Sequence, residues 1–189
     1  MRVLLLVATL SIFFCFQASG QNPLSEVLKQ YLAAAKAPSA ADVAHFYHPD
    51  GLKQFRKVLV YFDTRSDSPW GEQLRKAFFG ADATQVSVSK LSDEEFFASY
   101  FARSRETVRT LLPGLSDGPD DLRYVGSVPD GADTQHVVYY ASATIEKDRK
   151  ATFINVTTFK KAPDGSWKLA MPDALLWSVE AIARRINEG

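Results

Sequence analysis

Apolar residues in this 189-residue chain recur at helical spacing up to about residue 112 and alternate like those of a strand beyond about residue 121. That single change of period predicts helices first and a sheet afterwards, an α+β arrangement rather than a chain of βαβ units. In the first half, Leu24, Val27, Leu28, Tyr31, Leu32 and Ala35 predict a helix over about 24–37, ended by Pro38. Ser39, with Asp42 three residues on, opens a second short helix, which Pro49-Asp50-Gly51 breaks. Leu52, Phe55, Val58, Leu59 and Phe62 form a further helical stripe, and Ser68-Pro69 is a cap and first-turn signal for a helix through Phe79. Val86 and Val88 fit either a short strand or a turn of helix. Ser92 and Glu95 form a capping box; the helix they open carries Phe96, Phe97, Tyr100, Phe101, Val108, Leu111 and Leu112 and closes at Pro113-Gly114.

The second half predicts four strands, at about 121–128, 134–146, 151–161 and 166–171. Pro129-Asp130-Gly131 and Pro163-Asp164-Gly165 fit tight turns, the glycines being free to take positive φ. Asp173 to Asn187 reads as a C-terminal helix with Leu175, Leu176, Val179, Ile182 and Ile186 on one face. The polar stretch Ser116 to Asp121 reads as a loop within one domain, since neither half closes a core alone. The expected architecture is a single α+β domain over residues 21–189, its N-terminal helices packed on a curved antiparallel sheet of about four strands.

Residues 1–20 have the layout of a secretory signal peptide: Arg2, an apolar run from Val3 to Phe16, then Ala18-Ser19-Gly20 before a cut at Gln21. The run is too short for a good spanning helix, so the expectation is a periplasmic or secreted protein with no stable membrane insertion. The cut removes Cys15, the only cysteine, and with it disulfides, thiolate metal sites and cysteine nucleophiles. It also removes Arg2, so 22 basic and 22 acidic residues become 21 and 22. A chain so near neutrality is not drawn to nucleic acid or an acidic membrane by bulk charge.

A turn at Asp148-Arg149 would set Lys147 opposite Lys150, Ser142 opposite Asn155 and Tyr140 opposite Thr157. Ala162 opposite Ser166 would set Phe159 against Leu169 and Thr157 against Met171. One face then gathers His136, Val138, Tyr140 and Ser142 with Phe153, Asn155, Thr157, Phe159 and Trp167, and suits a pocket under the N-terminal helices. The smoother face, with Val137, Tyr139, Ala141, Ile154 and Val156, suits the C-terminal helix or a second subunit. A slip of one residue in the first hairpin would reverse the assignment of Asn155.

Two local stretches accompany this element order: Phe78-Phe79-Gly80-Ala81-Asp82 followed by Leu91-Ser92-Asp93-Glu94-Glu95-Phe96-Phe97, and the closing Gly165-Ser166-Trp167-Lys168-Leu169. With them, residues 24–171 resemble the nuclear-transport-factor-2-like (cystatin-like cone) superfamily, and in particular exported bacterial members of unassigned activity. The resemblance implies a cone-shaped cavity between sheet and helices, which holds acidic, His or Tyr groups in the enzymes and which others use for ligands. It also implies dimerisation through the sheet face, a surface for which the C-terminal helix competes.

Several residues are candidates for chemistry. His45 and His48, three apart, could direct both rings to one metal, with Asp42 or Asp50 adding oxygen, but no third ligand has diagnostic spacing and capping or surface roles are the default. His136 and Tyr140 are the candidate catalytic pair, acting with a carboxylate as a general base. Tyr140, Ser142, Phe153, Asn155, Thr157 and Trp167 are the candidate ligand-binding set. Asn155-Val156-Thr157 matches the glycosylation pattern by chance, being mid-strand. Serine-nucleophile, phosphate-loop and paired metal motifs are absent, and neither cofactor nor metal is expected. The expected function is non-catalytic binding of a small apolar or amphipathic ligand, or of a protein partner, through the cavity, with a homodimer among the possible partners. The alternative is a small cofactor-independent hydrolase, isomerase or dehydratase, and a third reading has the pocket filled by its own aromatics.

Overall fold

The computed structural model describes residues 22–37, 41–59, 69–111, 119–146, 149–177 and 181. Helix α1 (Pro23–Lys36) starts where Asn22 Oδ1 accepts the Leu24 N–H at 2.9 Å, with proline at the first helical position. The same Asn22 donates to the Tyr124 hydroxyl at 2.7 Å, which fastens the helix start to the sheet. At its other end, Arg105 donates to the carbonyls of Ala35 (2.6 Å) and Ala37 (2.7 Å), a cation where the helix dipole favours one.

A 3-10 helix (Ala41–Phe46) leads into α2 (Pro49–Leu59). Pro49-Asp50-Gly51 ends the first of these as expected but is also the first turn of the second, because a proline there lacks an N–H that no helical carbonyl requires. Helix α3 (Pro69–Phe79) runs as the Ser68-Pro69 signal predicts. Helix α4 (Gln85–Ser89) decides the Val86/Val88 question for helix: Thr84 and Ser87 cap each other reciprocally, and Val88 is buried while Val86 is exposed. Helix α5 (Asp93–Leu111) opens on the expected box, with Ser92 N–H on Glu95 Oε2 at 2.7 Å and Glu95 N–H on Ser92 Oγ at 3.2 Å. No helix among the described residues is long and apolar enough to cross a membrane.

Strands β1 (Asp121–Pro129), β2 (Thr134–Glu146), β3 (Arg149–Lys161) and β4 (Trp167–Leu169) pair antiparallel in chain order. Gly131 (φ 75°) and Gly165 (φ 83°) supply the positive φ of the outer two turns, and Gly165 N–H closes its turn on Ala162 O at 2.8 Å. Residues 173–177 are helical; most of the C-terminal helix expected as far as Asn187 lies outside the described residues, as do the signal peptide and the 112–118 stretch.

The helices cover the half of the sheet made by the start of β2 and the end of β3. Phe55, Phe96, Phe97, Val137 and Phe159 are fully buried there. Their rings meet edge to face, Phe55 to Phe97 at 5.0 Å and Tyr47 to Phe97 at 4.8 Å, the arrangement that ring quadrupoles favour. His48 N–H donates to Leu169 O at 2.8 Å, tying the helical layer to the end of β4.

Candidate functional site

The first hairpin corrects the expected faces. Ser142 lies opposite Thr152, not Asn155, and Tyr140 opposite Ile154, not Thr157. The ladder closes with Glu146 opposite Arg149 and slips between Thr144 and Glu146. The result is an offset of three residues, an odd number, so every residue of β2 exchanges faces relative to β3. The second hairpin is as expected, with Phe159 opposite Leu169 and Ala162 N–H on Ser166 O at 2.8 Å.

The inner face therefore carries Val137, Tyr139 and Ala141 of β2 with Phe153, Asn155, Thr157 and Phe159 of β3, Leu122 and Tyr124 of β1, and Trp167 and Leu169 of β4. Its centre is occupied by the protein's own aromatics. The Tyr31 and Tyr47 hydroxyls meet at 3.0 Å beneath the sheet, and Tyr139 packs against the same cluster. Burial pushes the pKa of the Tyr47 phenol far up, and the neighbouring Tyr31 hydroxyl adds to the shift. Tyr31 and Tyr139 are also raised, first by burial. The Tyr31 and Tyr47 hydroxyls stay neutral and bond each other. Phe153, at the far end of the hairpin, lies beyond this covered half and is exposed.

The candidate ligand set is thus split. Phe153, Asn155, Thr157 and Trp167 share the inner face, whereas Tyr140 and Ser142 lie on the outer one with His136. His136 Nδ1 is 3.0 Å from Thr158 Oγ1, its cross-strand partner, and Nε2 is 3.5 Å from Asp130 Oδ2, an exposed carboxylate. Tyr140 is covered by the Arg123 guanidinium, 4.6 Å from the ring centre. His136 and Tyr140 line neither the groove at the β3 edge nor the one beside α3.

The two N-terminal histidines diverge. His48 is buried, and its Nδ1 accepts the Asp50 N–H at 3.2 Å, a cap for the start of α2. His45 is exposed, with Lys168 donating to its carbonyl at 2.7 Å. Among the described residues, no three His, Cys, Asp or Glu side chains converge as a metal site.

Seen across the strands, the outer face is a series of rows: Val128–His136–Thr158, Gly126–Val138–Val156, Arg123–Tyr140–Ile154 and Asp121–Ser142–Thr152. Its middle is apolar and open, Ile154 being 66% and Val156 65% exposed; Val128, at the β1 edge in the His136 row, is 59% exposed. Its margins are polar, with Ser142 bonded to Thr152 at 2.9 Å at one end and His136 to Thr158 at the other. An outward face of an antiparallel sheet in water is ordinarily polar, so three open β-branched side chains in adjacent rows are a feature to be explained. Sequence reasoning placed Ile154 and Val156 on the smoother face and Val138 and Tyr140 on the other; the true register unites all four.

Beyond Thr158, whose carbonyl still accepts the Ala170 N–H at 2.8 Å, no strand among the described residues pairs with β3 on that side. A groove of about 310 Å³ opens at this edge, between Val156, Thr157, Thr158 and Lys160 of β3, the first turn of α2 and residues 170–173. Of the expected ligand residues only Thr157 lines it. A second groove, of about 420 Å³, lies at the far side of the helical layer between α3 and the α3–α4 connection. Compared with models of known protein families and with curated proteins, the chain gives no match.

Proposed function

We propose that this protein is an exported, non-catalytic interaction module of the nuclear-transport-factor-2-like type, binding a protein partner through the outer face of its sheet. The observation that carries the reading is the open apolar patch formed by Val128, Ile154 and Val156, with Val138 and Tyr140 between them. An apolar middle with a hydrogen-bonded polar margin is the anatomy of a protein–protein contact. The edge of β3 that no described strand pairs adds backbone donors and acceptors to which a partner strand can pair. The packing of Tyr31, Tyr47 and Tyr139 under the inner face shifts the expected binding from a cavity to a surface. The export half of the reading rests on the signal-peptide layout of residues 1–20.

A photo-crosslinking residue placed at Val156, in cells exporting the protein, tests this against the same residue at Gln30, exposed on the helical side. Discrete adducts from position 156 that are absent from position 30 are expected, and adding Ile154→Lys should abolish them. An adduct of twice the chain's mass identifies a second copy, and other masses a different protein. Equal adducts from both positions, or none from position 156, refute the reading.

A further inference from the structure

Arg75, on α3, is 4% exposed, and its Nε and Nη1 are sealed from water without a hydrogen-bond partner. A guanidinium cannot shed its charge, and burying a charge without a counter-charge is strongly unfavourable. No neighbour on the helix supplies one in contact. Glu72, one turn back, is exposed and bonded to Lys76 at 2.6 Å, which lowers the pKa of its carboxyl; Arg75 adds to that shift only at longer range, without an ion pair. The Thr84 hydroxyl accepts the Ser87 N–H at 3.1 Å in the cap of α4.

Arg75 nevertheless lines the groove of about 420 Å³ formed with Glu72, Lys76 and residues 81–85. The charges lining that groove are Arg75 and Lys76 against Glu72 and Asp82. Lys76 and Glu72 neutralise each other, and Asp82 stands exposed without an ion pair to Arg75. Among the described residues, no carboxylate is in contact with the buried guanidinium. We propose that this groove is an anion-binding site in which the carboxylate of a small monocarboxylic ligand becomes the counter-charge of Arg75. The planar guanidinium matches a planar carboxylate in shape and charge. A phosphate dianion would bring two charges beside the carboxylates of Glu72 and Asp82, and chloride offers no second acceptor atom. The volume exceeds what a carboxylate fills, so the rest of the ligand occupies the groove.

Amide spectra of the wild-type protein, recorded while sodium chloride is replaced by sodium acetate at constant ionic strength, test the site directly. Saturable shifts confined to residues 72–76 and 81–85 are expected, and Arg75→Met should weaken acetate binding about tenfold or more, the loss of one charge-assisted hydrogen bond. Without acetate, Arg75→Met should unfold at the same or higher urea concentration, because it removes a charge with no partner. A lower urea midpoint would show that Arg75 has a counter-charge inside the protein and would overturn the proposal. So would the absence of saturable shifts in the wild type, a result that holds whether or not the variant folds. Phosphate binding tighter than acetate in a parallel titration would overturn the ligand class.

Discussion

Gly51→Ala sets two effects of opposite sign against each other. In a solvent-facing helix the change is stabilising by up to about 1 kcal/mol, since alanine loses less backbone freedom than glycine. Gly51, however, lies in the first turn of α2 with Met171 against it; a Cβ placed there would be 2.9 Å from Met171 Cβ and 3.2 Å from Met171 N. Neither side is free to retreat. Gly51 N–H is bonded to His48 O at 2.9 Å, while the chain before Met171 is held by Ala170 N–H on Thr158 O and by His48 N–H on Leu169 O, both 2.8 Å. Overpacking of this kind costs about 1–3 kcal/mol. Sterics therefore win, for a net loss of about 1–2 kcal/mol after the propensity gain. In a domain of this size that lowers Tm by about 3–6 °C. Urea unfolding followed by circular dichroism measures it, with Ala33→Gly, exposed in the middle of α1, calibrating the propensity effect alone. If Gly51→Ala raises the midpoint by as much as Ala33→Gly lowers it, the close approach to Met171 is wrong.

Phe159→Ala should be far more damaging, about 3–5 kcal/mol in urea unfolding, because the ring is fully buried where sheet and helices meet; a loss under about 1 kcal/mol would mean that the inner face is not packed. Ser92→Ala removes the acceptor for the Glu95 N–H and should cost about 1 kcal/mol, read the same way. The phenols of Tyr31, Tyr47 and Tyr139 are all raised above the ordinary value of 10.0 in the folded protein. The unfolded chain therefore releases these protons first. Their contribution to stability is complete below about pH 10 and is lost as pH rises beyond it, by up to about 1.4 kcal/mol per pH unit for each phenol. Urea midpoints measured from about pH 8 to pH 11 should fall along this course and fall less steeply in Tyr47→Phe; a flat profile would contradict the burial of the pair.

The parts of this protein that were legible in its sequence are those whose causes lie within a few residues. Ser92 and Glu95 find each other because a helix start places them three apart, and Pro69 opens α3 because a first-turn proline sacrifices no hydrogen bond. The four strands of the sheet fall where alternation and the Pro-Asp-Gly turns put them. The hairpin between β2 and β3 is different in kind. Lys147, Asp148, Arg149 and Lys150 make several two-residue turns nearly equivalent locally, and an irregularity between Thr144 and Glu146 adds a further residue to the count. What selects among them is distant: only one parity buries Val137 and Phe159 together in the core with Phe55 and Phe96. That parity moved Tyr140, Ser142 and His136 away from the helices and separated them from Asn155, Thr157 and Trp167.

By itself, then, the order of residues determined the succession of helices and strands, their caps and turns, and the near-neutral charge of the chain, since each depends on neighbours in sequence or on simple addition. Three matters were left to the tertiary structure: which side of each strand meets the core, whether the space beneath the sheet is open or filled by Tyr31 and Tyr47, and how deeply Arg75 is enclosed. Strand faces invert with a shift of one residue, so their assignment is a property of the whole packed layer and not of the strand. Arg75 likewise shares its groove with residues 81–85, a proximity that no helical spacing within α3 encodes.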